Sequence, residues 1–251
     1  YLHGMKLYYY IFLVFIIFSK QTYAKIENTN INYKLKLNIL GIHIKIGEIN
    51  SYLEIKDNDY SLKFILASEN LVNIVTSING EGNVKGKVKN LSLYPEDYQY
   101  EYTKKKKNKN TQILFYNSNV SSSSTIPKFD KNKLTPITDD MLNDVIDPVT
   151  AIIYLGNYTL NKECTNSYRI FDGKRRYNLN YTNKFTKGDY TICRLTQKKI
   201  GGFKLSSDNN DIFKPAQEID TYFKKIDNEY ILEKIITKNN FSNLLIEVSY
   251  F

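Results

Sequence analysis

The chain has no tryptophan, two cysteines, two histidines, five prolines and eleven glycines in 251 residues. So little proline and glycine excludes a collagen-like or low-complexity chain. His43 stands among Ile42, Ile44 and Ile46 in an alternating stretch, the setting of a strand-face residue rather than of a base for a serine or cysteine nucleophile. Metal-ligand clusters are lacking, and Gly80, Gly82 and Gly86 have neither phosphate-loop nor dinucleotide-fingerprint spacing. No cofactor, no metal and no catalytic residue is therefore expected. Paired carboxylates remain the one chemistry open, as in a hydrolase of cell-wall sugars, but no pair recommends itself.

What is abundant is tyrosine and phenylalanine, 22 and 13 residues, within a 42% hydrophobic composition. That is ample for a core and favours strands over helices. The formal net charge of +9 admits an anionic partner such as phospholipid, lipopolysaccharide or nucleic acid. The lysine excess also follows from a Lys-, Asn-, Ile- and Tyr-rich composition of the kind AT-rich genomes encode. With no base-stacking motif present, nucleic acid is not an expected partner.

Met5 reads as the translational start, with Tyr1 to Gly4 upstream of it. Lys6, the apolar run Leu7 to Phe18 and Thr22-Tyr23-Ala24 follow the plan of a signal peptide cleaved after Ala24. The run is short for a membrane span. Export to the periplasm is the expectation, with an uncleaved anchor in the inner membrane as the alternative. In an oxidising compartment Cys164 and Cys193 are expected to pair as a disulfide. A two-cysteine metal site would lack further ligands.

From residue 25 to residue 251 we read a single β-rich domain. Ile31 to Gly47 alternates apolar and polar residues, with Gly41 marking a turn or bulge. Ile49 to Ile55 and Tyr60 to Ala67 continue the meander around Asp57-Asn58-Asp59. Leu71 to Ile78 suits helix or strand equally. Gly80, Gly82 and Gly86 are read as loosening the chain before a strand from Val84 to Leu93. Tyr98 to Tyr102 and Gln112 to Tyr116 flank a basic hairpin tip. That tip, Lys104 to Lys109, is a candidate for peripheral contact with an anionic membrane, although a solvated loop is the better explanation, since a block of like charges needs nothing more than water. Ser121 to Ser124 opens a polar linker spanning about 117–137.

Thr138-Asp139-Asp140 suggests a short helix. Asp147-Pro148 suggests an N-cap and a proline at the first position of a second one, which ends at Gly156. Ser167 to Phe171 and Lys174 to Tyr181 form a hairpin around Asp172-Gly173, read as a two-residue turn. Tyr190 to Leu195 is the next strand, and Gly201-Gly202 breaks the ladder. Thr221 to Ile226, Tyr230 to Thr237 and Leu244 to Tyr250 complete the sheet. The fold class is thus mainly β: an antiparallel meander curled into a partial or closed barrel, with one or two short helices packed on it.

Arginine is confined to Arg169, Arg175, Arg176 and Arg194 in a chain that otherwise uses lysine. A drift towards lysine should have removed replaceable arginines, so these four mark either internal ion pairs or a bidentate anion-binding spot.

Several of these segments form an ordered set. Gly41-Ile42-His43-Ile44-Lys45-Ile46-Gly47-Glu48, Asp147-Pro148-Val149-Thr150-Ala151, Cys164 with Tyr168 to Tyr177 (YRIFDGKRRY), and Cys193 with Gly201-Gly202-Phe203 resemble the motifs of an exported bacterial family, domain of unknown function 3108. The resemblance spans nearly the whole chain after the leader. It implies an exported β-rich envelope protein and no activity, and its architecture is similar to the open half-barrels of periplasmic lipoprotein carriers, an analogy of fold alone.

Two functions follow as expectations. The first is a non-enzymatic binding protein holding a lipid or other apolar ligand in a barrel-like interior. The second is an envelope assembly protein that binds another protein through a sheet edge or the arginine-bearing hairpin. Oligomeric state is left open by the sequence.

Overall fold

The computed structural model describes residues 28–39, 42–69, 78–90, 92–104, 107–157, 163–205, 218–227, 229–238 and 243–251. The expected leader, Gly41, the undecided segment 71–77 and Lys105-Lys106 lie outside them.

Among the described residues thirteen strands form one antiparallel sheet: β1 (Thr29–Ile39), β2 (Ile42–Lys56), β3 (Asp59–Ser68), β4 (Ile78–Lys89), β5 (Ser92–Lys104), β6 (Lys107–Tyr116), β7 (Asn119–Ile126), β8 (Ser167–Phe171), β9 (Arg176–Lys187), β10 (Tyr190–Gly201), β11 (Glu218–Ile226), β12 (Glu229–Lys238) and β13 (Asn243–Tyr250). The order is β7-β6-β5-β4-β3-β2-β1-β13-β12-β11-β10-β9-β8. Every neighbour is consecutive in sequence except one pair. β1 joins β13, from Ile31 opposite Tyr250 to Asn38 opposite Asn243, and so welds two meanders into one sheet. β7 and β8 are its edges and do not pair with each other, so the barrel is partial.

The alternation read from the sequence sets the faces. On β3 to β6, Tyr60, Leu62, Val84, Tyr98 and Ile113 point inward and are at most 4% exposed, while Lys63, Lys85 and Lys87 lie on the other face by strand parity. Gly82 and Gly86 belong to the inward face of a continuous β4 rather than to a loosened segment. A Cβ on Gly82 would stand 2.6 Å from the Phe64 ring, and one on Gly86 2.7 Å from the Tyr60 ring and 2.1 Å from the Tyr94 carbonyl oxygen. These glycines make room for rings lying across the strand.

Four local expectations are corrected. The strand expected from Val84 to Leu93 is two strands, because Asn90 turns the chain with φ of 49°, a left-handed conformation that asparagine tolerates. Ser121 to Ser124 belong to β7, paired with β6, not to a linker. The Asp172-Gly173 turn has four residues, not two. Asp172 N–H donates to the Arg175 carbonyl and Phe171 pairs with Arg176, because the Asp172 carboxylate gathers the N–H groups of Lys174 and Arg175. The helix expected after Thr138 is a single 3₁₀ turn, Asp139–Leu142, whose Thr138 makes no side-chain cap bond.

The helix α1 (Pro148–Gly156) begins as expected, with Pro148 in its first turn. Asp147 Oδ1 accepts from Val149 N and Thr150 N at 2.8 and 2.9 Å. Val149, Ala151, Ile153, Tyr154 and Leu155 share one core with Tyr60, Leu62, Val84, Tyr98 and Ile113 on one side and Tyr168, Ile170, Leu179 and Leu195 on the other. The helix therefore plugs the concave face and joins the two meanders. Tyr154 Oη also accepts from Leu93 N at 2.7 Å. A second core gathers Phe223, Leu232 and Ile235 around the Cys164–Cys193 disulfide, whose Cα atoms are 5.6 Å apart.

Candidate functional site: a cleft at the seam of the sheet

Residues 127–147, which follow β7, run across the gap that the edges β7 and β8 leave. Thr135 N donates to the Phe203 carbonyl and Gly202 N to the Thr135 carbonyl, at 2.7 and 2.8 Å, so residues 133–135 lie against the end of β10. Gly202 has φ of +77°, and a Cβ there would fall 1.9 Å from the Lys174 carbonyl oxygen. The Gly201-Gly202 step is thus where three segments meet. Further along, Arg176 Nε donates to the Met141 carbonyl at 2.8 Å. Asp144 N donates to Asn119 Oδ1, Val145 N to the Ser118 carbonyl, and Ile146 N to the Arg169 carbonyl, at 2.9 to 3.1 Å. The strap is thus tied to β10, to the start of β7 and to β8.

Between this strap, β7 and the β8–β9 turn lies a cleft of ≈930 Å³. Ile126, Phe129, Leu134, Ile137, Leu142 and Phe171 supply its apolar wall. Ser123, Ser124, Thr125 and Thr135 add hydroxyls, and Lys128, Lys131 and Lys174 stand against a single carboxylate, Asp139. Lys174 Nζ is 5.8 Å from the centre of the Phe129 ring. Burial and the neighbouring Arg175 push its ammonium below the usual lysine range. Beyond Ile126 a second hollow of ≈590 Å³ runs over Leu66, Tyr102 and Lys109.

Among the described residues, Val84, Ile113, Val145 and Leu195 are fully buried and share one core with α1, so side chains occupy that part of the concave face where the sequence led us to expect apolar space.

Of the arginines singled out in the sequence, Arg169, Arg175 and Arg176 lie on or beside the β8–β9 hairpin and Arg194 on β10. Arg175 Nε donates to Asp172 Oδ2 at 2.7 Å. Arg176 is 2% exposed and donates to the carbonyls of Met141 and Tyr177 and to Asn178 Oδ1. Burial, with Arg169 nearby, brings it down to about 10. Arg194, on β10, holds Asp220 with two bonds of 2.7 and 2.9 Å, packs 5.4 Å from the Phe185 ring centre and has its basicity raised by Asp220. Of the basic hairpin tip, Lys109 Nζ sits 5.4 Å over the Tyr102 ring. Asp147, Pro148, Asp172 and Gly173 have the structural positions given above.

The cleft lysines escaped sequence reasoning because lysine is everywhere in the chain. A usable signal was present nonetheless: between Pro127 and Pro136, Phe129 and Leu134 alternate with basic residues in a stretch too polar for a strand.

The class of the protein is thus an open antiparallel half-barrel with a helix in its bowl and a strapped seam. The sequence profile described as "Protein of unknown function (DUF3108)" matches residues 30–248, and the chain belongs to that family. No curated protein matches it. Among solved structures it is similar to a β-barrel-like protein of domain of unknown function DUF1849 from Brucella abortus, at 8% identity and a TM-score of 0.47, covering 91% of this chain and 99% of that one. It is also similar to a DUF1329 family protein from Desulfovibrio piger, at 10% identity and a TM-score of 0.31, covering 89% and 84%. A LolA superfamily protein from Nitrosomonas europaea matches at 9% identity and a TM-score of 0.27, covering 89% and 84%.

Proposed function

We propose that this is a non-enzymatic binding protein of the cell envelope whose seam cleft holds an apolar chain. The observation that carries the reading is the cleft itself: six apolar side chains facing a space of ≈930 Å³, near the upper end of the roughly 300–1,000 Å³ typical of small-molecule sites. An extracytoplasmic location is supported by the Cys164–Cys193 disulfide, since disulfides persist mainly in oxidising compartments, and by the leader-like Leu7 to Phe18.

The test is a chain-length series of straight-chain alcohols displacing a fluorescent apolar probe from delipidated protein. Burial of each methylene contributes about 0.8 kcal/mol, so affinity should rise about four-fold per added carbon until the cleft is full. Phe129→Ser should weaken every member of the series. A flat series, or no displacement, contradicts the reading.

A second reading, strand addition by a partner protein, is favoured by one observation: β7 is a terminal strand of the sheet, with β6 as its ladder partner. Cross-linking in cells that captures a protein on β7 would support it.

A further inference from the structure

We propose that the chain held in the seam cleft is an acyl chain with an anionic head, the tail lying along Phe129, Leu134, Ile137 and Leu142 and the head meeting Lys174. This rests on the preceding reading of the cleft as an apolar-chain site and adds the chemistry of what it holds.

The argument starts from the charges. Lys128, Lys131 and Lys174 line the cleft against one carboxylate, Asp139. The nearest other acid to Lys174 in sequence, Asp172, is already committed. Its Oδ1 accepts the backbone N–H groups of Lys174 and Arg175, at 3.0 and 2.6 Å, and its Oδ2 accepts Arg175 Nε. Among the described residues no carboxylate stands within ion-pair distance of Lys174 Nζ, which lies over the Phe129 ring. Arg175, Lys109 and Lys204 add further positive charge around it. The charge of Asp172 offsets these cations in part, and an ammonium partly removed from water beside an apolar wall gains from a further anion.

The cations also sit where a head group would need them. Lys174 follows Gly173, whose φ is +87°, and the turn brings the lysine to the cleft next to Phe171 and Gly202. Phe129, against which Lys174 Nζ lies, lines the same cleft as Leu134 and Leu142. An apolar wall beside a cationic group is complementary to an apolar chain that carries an anionic head.

The experiment uses the whole delipidated protein and four ligands of equal chain length below their micelle-forming concentrations: dodecanoate, dodecyl phosphate, dodecanol and dodecyltrimethylammonium. Both anions are expected to displace the probe at least about ten-fold more tightly than dodecanol at low salt, with the cation weakest. Which anion binds tighter tells a carboxylate head from a phosphate head. Lys174→Gln should abolish the preference for anions over dodecanol, while Lys63→Gln, on the outer face of β3, should change nothing. Dodecanol equal to dodecanoate on the wild type, or an intact anion preference in Lys174→Gln, overturns the head-group assignment and leaves the apolar cleft standing. Binding of none of the four overturns the cleft reading and this inference with it.

Discussion

The Tyr60 hydroxyl lies 2.9 Å from Thr150 Oγ1, and Thr150 Oγ1 donates to Asp147 Oδ2 at 2.6 Å. A hydroxyl has one proton, so Tyr60 is the donor in the first contact and the three side chains form a directed relay from β3 to the cap of α1. All three are buried, at 2% exposure or less. The relay fastens the plug helix to the opposite meander, 90 residues away in sequence.

Thr150→Val removes Asp147's hydroxyl donor and Tyr60's acceptor while keeping shape. It should cost about 1–3 kcal/mol in urea unfolding, against about 0.5–1.5 for Tyr60→Phe. The double variant should cost less than the sum, because the two changes break one chain of bonds. Additive losses would show that the relay is not coupled.

The disulfide joins cysteines 29 positions apart in sequence, one in the segment after α1 and one on β10. Replacing both cysteines with serine should lower stability by roughly 3–4 kcal/mol through the greater freedom of the unfolded chain. The urea midpoint of the double variant checks this. A loss under about 1 kcal/mol would mean that the bridge adds little to a fold already held by its sheet.

Asp220 is 1% exposed. Burial would raise its carboxyl, but the bonds from Arg194 and Lys238 outweigh that and hold it below the usual range. A lowered folded value means that the stability is present above the unfolded carboxylate pKa, near 4, and disappears as pH falls through the folded value. Acid titration of wild type and Asp220→Asn should therefore converge at low pH and diverge above it. Parallel curves would contradict the assignment.

At the alkaline end the buried tyrosines act with the opposite sign. Burial pushes Tyr33 and the half-buried Tyr100 up to about 12, and Tyr60 and Tyr98 well above the usual phenol range. Raised values give stability that is present below the unfolded phenol pKa, near 10, and is lost as pH rises. Tyrosinate absorbance should appear in two steps, exposed rings first and buried rings together with unfolding. A single step near pH 10 with the fold intact would contradict the burial.

Much of the architecture was legible because period-two alternation survives wherever one face of a strand is buried. The segments around Tyr60, Ile113, Leu179 and Phe223 were readable for that reason, and Asp147-Pro148 announced α1 through cap chemistry alone. What was not legible depends on contacts between distant segments. The role of Gly82 and Gly86 needs Phe64 and Tyr60 on the neighbouring strand. β7 was read as a linker because its serines lack an apolar face, a pattern natural for an edge. The seam cleft is made by a strap, an edge and a turn that nothing local connects, and its lysines were hidden by the many others, while the rarer arginines drew attention to the hairpin and β10.

Photoaffinity labelling tests the account most directly: a twelve-carbon fatty acid with a diazirine on its tail is cross-linked to the delipidated protein and the labelled peptides are mapped by mass spectrometry. Saturable labelling within residues 123–142 and 171–174, competed by unlabelled dodecanoate, is the predicted result. Labels on α1 or on the inner face of β3 to β5, or no saturable labelling at all, would contradict it.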